Sequence, residues 1–237
     1  MSHQEVEPIE HKIEPTKHSF EATQSSGVVS ALLMCPANAD CLLVLGHGAG
    51  AGMRHVFMET LADHLADRRI ATFRYQFPYT EQGRRRPDFQ PILLKTVRSA
   101  ISAASVLADG LPLFAGGKSM GGRMTSLAAA KEPLADVRGI VFFGFPLHPV
   151  QNPGIERSDH LKEADVPLLF LQGTRDKLAQ LNLLEPVCQD LAQGATLHLV
   201  EEADHGFHVL KRSGRTDDDV QDELADTTRT WIDSLAP

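Results

Sequence analysis

The chain has 237 residues, of which 42% are hydrophobic and 23% charged, a composition typical of soluble globular proteins. Its formal net charge of −8 disfavours nucleic acid as a partner, because a phosphate backbone would be repelled. A chain of this length suits one packed core, so we predict a single domain over residues 1–237. Residues 1–26 form its N-terminal segment, which can add an edge strand.

The first twenty residues are polar and acidic, without a basic start followed by an apolar run. We therefore expect neither a signal peptide nor a membrane anchor, and we predict a cytoplasmic protein with no membrane partner. Three cysteines, Cys35, Cys41 and Cys188, lack the close pairing of a metal knuckle or a redox motif. We interpret them as reduced thiols in the core.

Short apolar runs alternate with helical patterns along the chain. Strands are predicted at 41–45, 70–75, 111–115, 139–145, 167–171 and 197–200, and antiparallel edge strands near Ile13 and at 28–34. Helices are predicted around 58–65, 94–104, 120–131 and 181–191, with a last helix after Thr216. The spacing from Thr216 to Asp219 suits a helix N-cap and its reciprocal partner. This alternation favours an α/β fold: a mostly parallel central sheet with helices on both faces.

The sharpest motif is the GxSxG pattern GKSMG at 117–121, between a predicted strand and a predicted helix. A tight turn at this place lifts the serine side chain out of the sheet. Glycine is needed because the strand and the helix come too close for a Cβ atom. The pattern favours Ser119 as a nucleophile, against the alternative that it only caps the helix.

A serine hydroxyl needs a base within hydrogen-bond reach, and the base needs an acceptor that orients it. Asp176 follows one predicted strand and His205 follows the next, at the edge where sites in parallel sheets are built. The chain order Ser, Asp, His is the order that accompanies a GxSxG turn. We therefore predict a catalytic set of Ser119, His205 as general base and Asp176 as the orienting acid.

Other acidic and histidine residues lie near His205 in the sequence. Asp204, Glu201 and Glu202 are weaker alternatives to Asp176, because neighbouring side chains seldom point at each other. Structural roles are favoured for His198 and His208. No cluster of further ligands accompanies the histidine pair, so we predict no metal site.

An attacked carbonyl develops negative charge, which needs backbone donors already in place. The glycine-rich loop at 46–50 follows the first core strand and predicts an oxyanion hole made by the Ala49 and Met120 amides. A phosphate-binding loop is the alternative, but its spacing requires a glycine where this chain has Pro112.

Further residues at predicted strand ends are candidates for a substrate pocket: His47, Gly48, Gly50, Phe77, Tyr79 and His148. Packing under the loop explains the two aromatic residues equally well, and His148 suits an ordinary exposed histidine equally well. The run Arg84, Arg85 and Arg86 suits an anionic substrate group, although a solvated surface loop is favoured.

These motifs resemble the α/β-hydrolase superfamily. HGAG at 47–50, GKSMGGR at 117–123 and FPLHP at 145–149 look like a small branch related to dienelactone hydrolases, over roughly residues 27–235. Dienelactone hydrolases proper use a cysteine nucleophile where this chain has Ser119, so their lactone substrate does not transfer. The same branch resembles hydrolase-like domains of certain eukaryotic chromatin-associated proteins, which implies a scaffolding role. The short segment between 145 and 167 predicts no sizeable lid domain.

We therefore predict a serine hydrolase that cleaves a small or medium carboxyl ester, or a related acyl bond, through an acyl-enzyme. Its partner is a small-molecule ester and no cofactor is implied. Two alternatives stay open: a catalytically quiet scaffold or binding module, and an acyl transferase or peptidase with the same residues. The full set of Ser119, Asp176 and His205 argues against the scaffold. Oligomeric state is left open.

Overall fold

The computed structural model describes residues 13–191 and 194–235, and these form an eight-stranded sheet in the order β1-β2-β4-β3-β5-β6-β7-β8. The strands are β1 (Thr16–Thr23), β2 (Gly27–Met34), β3 (Cys41–Gly46), β4 (Ile70–Tyr75), β5 (Leu113–Lys118), β6 (Val137–Phe143), β7 (Leu168–Gly173) and β8 (Ala195–Val200). β2 runs antiparallel to its neighbours β1 and β4, and the other pairs are parallel. The predicted α/β fold class is confirmed.

The antiparallel edge of the sheet is built by the N-terminal segment. The strand predicted at 28–34 is β2. The strand expected near Ile13 begins at Thr16 instead, and Ile13 packs against a small apolar cluster that includes Met34. Residues 1–12 of the N-terminal segment lie outside the described residues.

The central strands are apolar because both faces of the sheet are covered. All six residues of β3, of β4 and of β7 are buried. Strands covered on both sides read as continuous apolar runs rather than as alternating ones, which is the pattern that the sequence shows.

Helices cover the two faces of the sheet. They are α1 (Val56–Asp67), the short α2 (Pro78–Glu81), α3 (Gln90–Leu107), α4 (Met120–Lys131), α5 (Leu181–Gln189) and α6 (Asp217–Ser234). Buried residues of α1 and α6 share one apolar cluster, and those of α3, α4 and α5 share another. The sheet therefore separates two cores, as the layer architecture of α/β proteins requires.

The start of α6 and the end of β5 show how local chemistry sets the element ends. The Thr216 hydroxyl accepts from the Asp219 amide at 3.1 Å, and the Asp219 carboxylate accepts from the Thr216 amide at 2.7 Å, which completes a capping box. β5 runs to Lys118, beyond the predicted end at 115. Gly117 pairs with Gly46 of β3, and only glycine fits at position 117 because a Cβ there would lie 2.1 Å from the Gly46 carbonyl oxygen.

The three cysteines differ in their surroundings. Cys41 and Cys188 are buried, and burial raises the pKa of each thiol to about 12. Cys35 is exposed, so the prediction that it is a core thiol is wrong. It directly follows β2, where the chain leaves the sheet.

The segment between β6 and β7 is short. Within the described part of the chain it holds one 3-10 helix, Glu156–Glu163, and no other helix or strand, so the prediction of no sizeable lid domain is confirmed. None of the described helices has the length and apolar character needed to cross a membrane.

Candidate active site

Ser119 occupies the sharp turn between β5 and α4. Its φ of 51° and ψ of −111° lie outside the regions that residues with a Cβ ordinarily populate, so the backbone is strained there. The Ser119 amide donates to the Phe143 carbonyl, and the Arg123 amide donates to the Ser119 carbonyl, each at 3.1 Å. A Cβ on Gly121 would lie 2.1 Å from the Gly46 carbonyl oxygen. The turn therefore depends on glycine where the helix meets β3.

A hydrogen-bonded relay links the three side chains predicted to be catalytic. The Ser119 Oγ lies 2.9 Å from His205 Nε2, and His205 Nδ1 lies 2.6 Å from Asp176 Oδ2. Because the carboxylate can only accept, Nδ1 carries the proton and Nε2 is left to accept from the hydroxyl. The arrangement is the one in which a histidine can take the proton of a serine.

The carboxylate of Asp176 is fully buried and held from several sides. Its Oδ1 accepts from the Leu178 amide at 2.7 Å, and its Oδ2 accepts from the Gln172 amide nitrogen as well as from His205. The Gln172 side-chain oxygen accepts from the Phe145 amide at 2.9 Å. Sequence reasoning missed Gln172, although a polar residue in the otherwise apolar run LLFLQG was a signal.

The other acidic and histidine candidates bond elsewhere. Asp204 Oδ1 accepts from the amides of Gly206 and His208, so it shapes the loop that carries His205. His198 Nε2 pairs with Glu223 at 2.7 Å. His208 Nδ1 pairs with Asp217 at 2.6 Å.

Lys118 is a second residue that sequence reasoning missed. Its ammonium donates to the His205 backbone carbonyl and lies 5.5 Å and 5.2 Å from the ring centroids of Phe57 and Phe207. Burial lowers the pKa of Lys118 to about 8, although the Asp176 and Asp204 carboxylates act in the opposite direction. The ammonium thus ties the end of β5 to the loop that carries His205.

The loop that carries Ala49 lies beside Ser119, and Met120 follows Ser119 in the chain. A Cβ on Gly48 would lie 3.9 Å from Ser119 Cβ, which places the loop 46–50 next to the nucleophile. Neither the Ala49 amide nor the Met120 amide donates to an acceptor among the described residues. Both donors are therefore available to a substrate oxygen.

His47 and Tyr79 support this loop from beneath. His47 Nδ1 donates to the Gly48 carbonyl at 2.8 Å, and His47 Nε2 accepts from the Phe77 amide at 3.2 Å. The Tyr79 hydroxyl donates to the Ala49 carbonyl at 2.9 Å. Burial lowers the pKa of His47 to about 4, so the imidazole is neutral at physiological pH.

A cavity of about 690 Å³ opens at Ser119. Its walls come from the loop 48–51, the start of α1, the end of β5, the loop 205–208 and the start of α6. Gly48 and Gly50 line it, as do Phe57 and Phe207. This volume lies within the range of small-molecule sites.

Of the candidate pocket residues, His47, Phe77, Tyr79 and His148 do not line this cavity. All four are at most 1% exposed and lie outside the cavity wall. His148 Nε2 accepts from the Gln180 amide at 3.1 Å, which joins the loop after β6 to the start of α5. These side chains follow strand ends but turn inward: those of His47, Tyr79 and His148 bond backbone groups of the loops, and the Phe77 ring packs against His47.

The arginine run after α2 also lies apart from the cavity. Arg84 pairs with Asp88 at 2.6 Å, and Arg85 and Arg86 are exposed. Among the described residues no group of three or more His, Cys, Asp or Glu is arranged to hold a metal ion.

Several solved structures are similar to this fold. A dienelactone hydrolase from Anabaena variabilis is 19% identical, with a TM-score of 0.72 over 94% of this chain and 98% of that protein. A Xanthomonas campestris protein described as an α/β serine hydrolase without a lid is 17% identical, with a TM-score of 0.70 over 96% and 98%. A Coxiella burnetii α/β serine hydrolase homologue is 16% identical, with a TM-score of 0.71 over 90% and 96%.

At these identities the likeness shows a common fold, while membership of a family comes from the sequence. Residues 39–233 match the model of the alpha/beta hydrolase domain, which covers most of the chain. The chain belongs to the α/β-hydrolase family.

Proposed function

We propose that this protein is a serine hydrolase that cleaves small or medium carboxyl esters through an acyl-enzyme at Ser119. The observation that carries the proposal is the relay from Ser119 Oγ through His205 to the buried carboxylate of Asp176, at the wall of a cavity. A binding module has no need for this set of contacts, whereas an acyl-transfer site depends on each of them.

In the first half of the reaction, Ser119 Oγ attacks the ester carbonyl carbon while His205 Nε2 takes the hydroxyl proton. The carbonyl oxygen becomes an oxyanion, which the Ala49 and Met120 amides stabilise. When the tetrahedral intermediate collapses, the bond to the alcohol oxygen breaks. His205 gives its proton to that oxygen, and the acyl group stays on Ser119.

In the second half, a water molecule attacks the acyl carbon. His205 Nε2 takes a proton from this water and later returns it to Ser119 Oγ, so that the acid leaves and the enzyme is restored. Asp176 keeps the proton on Nδ1 and stabilises the imidazolium that forms twice in the cycle.

The size of the substrate is inferred from the access to Ser119. The cavity volume of about 690 Å³ and the short segment between β6 and β7 suit a small or medium ester that enters without displacing a lid. The Phe57 and Phe207 side chains give part of the wall an apolar character.

A fluorophosphonate probe tests the proposal, because it phosphonylates an activated serine. We expect the wild type to label and to hydrolyse short p-nitrophenyl esters. Ser119→Ala should abolish labelling and lower ester turnover by about 10⁴-fold or more, because the remaining groups cannot form the acyl-enzyme. Ser102→Ala, at an exposed serine of α3, is the matched control and should behave as wild type.

A well-folded wild type that neither labels nor turns over any short ester would overturn the proposal in favour of a scaffold or binding module. Labelling that persists in Ser119→Ala would place the reactive serine elsewhere.

A further inference from the structure

The chain reverses direction in the loop that carries His205. The Phe207 amide donates to the Asp204 carbonyl at 2.9 Å, and the Asp204 amide donates to the His208 carbonyl at 3.1 Å. Residues 205–207 therefore form a three-residue turn between paired ends, and His205 is its first member. In turns of this length the third residue commonly adopts the left-handed conformation, for which glycine is favoured.

Phe207 occupies that third position. Its φ of 66° lies in the left-handed region, where a bulky side chain is unusual and the backbone is strained. The glycine of the turn, Gly206, lies one residue earlier, and its φ is not positive. The backbone alone would therefore favour glycine at position 207. Strain of this kind persists only where the surroundings hold it, so the side chain of Phe207 must stabilise the turn by its contacts.

The Phe207 ring is held by the core and by an ammonium. It is 2% exposed and stacks on Phe57 of α1, with 5.7 Å between the ring centroids and 19° between the ring planes. The Lys118 ammonium lies 5.2 Å from the centroid of the Phe207 ring and also donates to the His205 carbonyl. These contacts fix the turn 205–207 at its first and at its third residue.

His205 needs a fixed position because it has two partners. Its Nε2 lies 2.9 Å from the Ser119 Oγ, and its Nδ1 lies 2.6 Å from the Asp176 Oδ2. The two nitrogens belong to one rigid ring, so a displacement of the turn moves both of them. A misplacement of about 1 Å in such a geometry can lower a rate by about 10²-fold.

We propose that Phe207 is a positioning residue for the catalytic base: its ring holds the turn 205–207 in the conformation that directs the His205 imidazole to its two partners. Phe207 acts through the turn and not on the reacting atoms. This role explains why a residue that strains the backbone stands where glycine would relieve the strain. The inference rests on the proposed function, since it concerns the base of the same reaction.

Two substitutions of Phe207 separate the ring from the backbone. Phe207→Gly removes the ring and suits the left-handed conformation, whereas Phe207→Leu keeps an apolar side chain. With p-nitrophenyl acetate we expect kcat to fall about 100-fold in Phe207→Gly and about tenfold in Phe207→Leu, because the imidazole is no longer held in place. KM should stay within about threefold of the wild type, since the loss concerns the transition state.

Phe114→Leu is the matched control. Phe114 is also 2% exposed and belongs to the same apolar cluster as Phe207, but it lies outside the cavity wall. We expect this substitution to lower stability in urea unfolding, as Phe207→Leu does, and to leave kcat unchanged. The comparison separates loss of packing from loss of positioning.

A second measurement needs no ester. The proton on His205 Nδ1 lies in the short hydrogen bond to Asp176, so it should give a separate proton NMR signal far downfield, which His205→Gln identifies by its loss. We expect this signal in the wild type and in Phe114→Leu. It should broaden or disappear in Phe207→Gly, because a displaced imidazole exchanges its proton with water. If the wild type hydrolyses no ester while this pattern holds, the proposed function fails and the positioning role stands.

Wild-type kcat and an unchanged signal in the two Phe207 variants would overturn the inference, since the turn would then hold His205 without the ring. A rise in KM at constant kcat would overturn it in favour of a direct contact between the Phe207 ring and the substrate. If Phe207→Gly does not fold, the same criteria apply to Phe207→Leu.

Discussion

Two histidines, one in the loop 46–50 and one in the loop 205–208, have opposite environments. His47 is fully buried and its two ring nitrogens bond backbone groups of the loop 46–50 and of Phe77. The side chain of His205 is 26% exposed and bonds Ser119 and Asp176. The role of a histidine that follows a strand end therefore depends on its hydrogen-bond partners. His47 bonds only backbone groups and holds a loop in place, whereas His205 bonds a hydroxyl with which it can exchange a proton.

The largest effect on activity is expected when His205 is replaced. His205→Gln removes the base but keeps a polar side chain, so we expect kcat for p-nitrophenyl acetate to fall by about 10⁴-fold or more. Stability should change little, because the loop keeps its backbone bonds through Asp204. Steady-state kinetics and urea unfolding measure the two quantities. Activity within tenfold of the wild type would show that His205 is not the base.

A smaller effect on activity, with a larger one on stability, is expected at His47. His47→Gln should lower kcat by about 10²-fold, because the Ala49 amide is no longer held in place. Loss of the two buried hydrogen bonds should cost about 1–3 kcal/mol of unfolding free energy.

The pH dependence of stability sharpens this prediction. The pKa of His47 is about 4 in the folded chain, against 6.5 for an unperturbed histidine, so only the unfolded chain binds the proton between these values. The neutral imidazole contributes fully above pH 6.5, and about 3 kcal/mol is lost as the pH falls to about 4. We expect urea unfolding curves of His47→Gln to lack this part of the acid loss. If the wild type and His47→Gln lost the same unfolding free energy as the pH falls from 6.5 to 4, a buried, neutral His47 would be contradicted.

The smallest effect is expected at Lys118, which joins the end of β5 to the loop that carries His205. Lys118→Met removes the ammonium bonded to the His205 carbonyl, so we expect kcat/KM to fall by about tenfold at pH 7. Because the pKa of Lys118 is about 8, wild-type activity should decline as the pH rises through 8, when the ammonium loses its charge. Asp176 and Asp204 are the carboxylates whose charge acts on this ammonium. The variant should show no such decline, and a pH profile of kcat/KM distinguishes the two.

Much of the fold and the meeting of Ser119, Asp176 and His205 could be predicted from the sequence. The central strands are continuous apolar runs, and the carboxyl ends of parallel strands share one edge, so residues that follow them come together. The sequence did not predict in which direction the side chains of loop residues point. His47 and His148 turn inward to bond amides 30 and 32 residues away in the chain, which no local pattern reveals.

Lys118 was missed by sequence reasoning for the same reason. Its ammonium bonds a carbonyl 87 residues away in the chain. Gln172 is the exception, because a polar side chain inside a buried strand had to find a partner.

The close approach of β3 to the serine turn has a consequence for engineering. The Gly46 carbonyl oxygen occupies the space that a Cβ on Gly117 or Gly121 would need. Direct contact between these backbone segments therefore fixes the position of Ser119 relative to the sheet. The side chains of α1 and α6 that face the cavity take no part in this contact. Libraries that randomise those helices can change substrate range while the nucleophile stays where it is, whereas the three glycines must be left untouched.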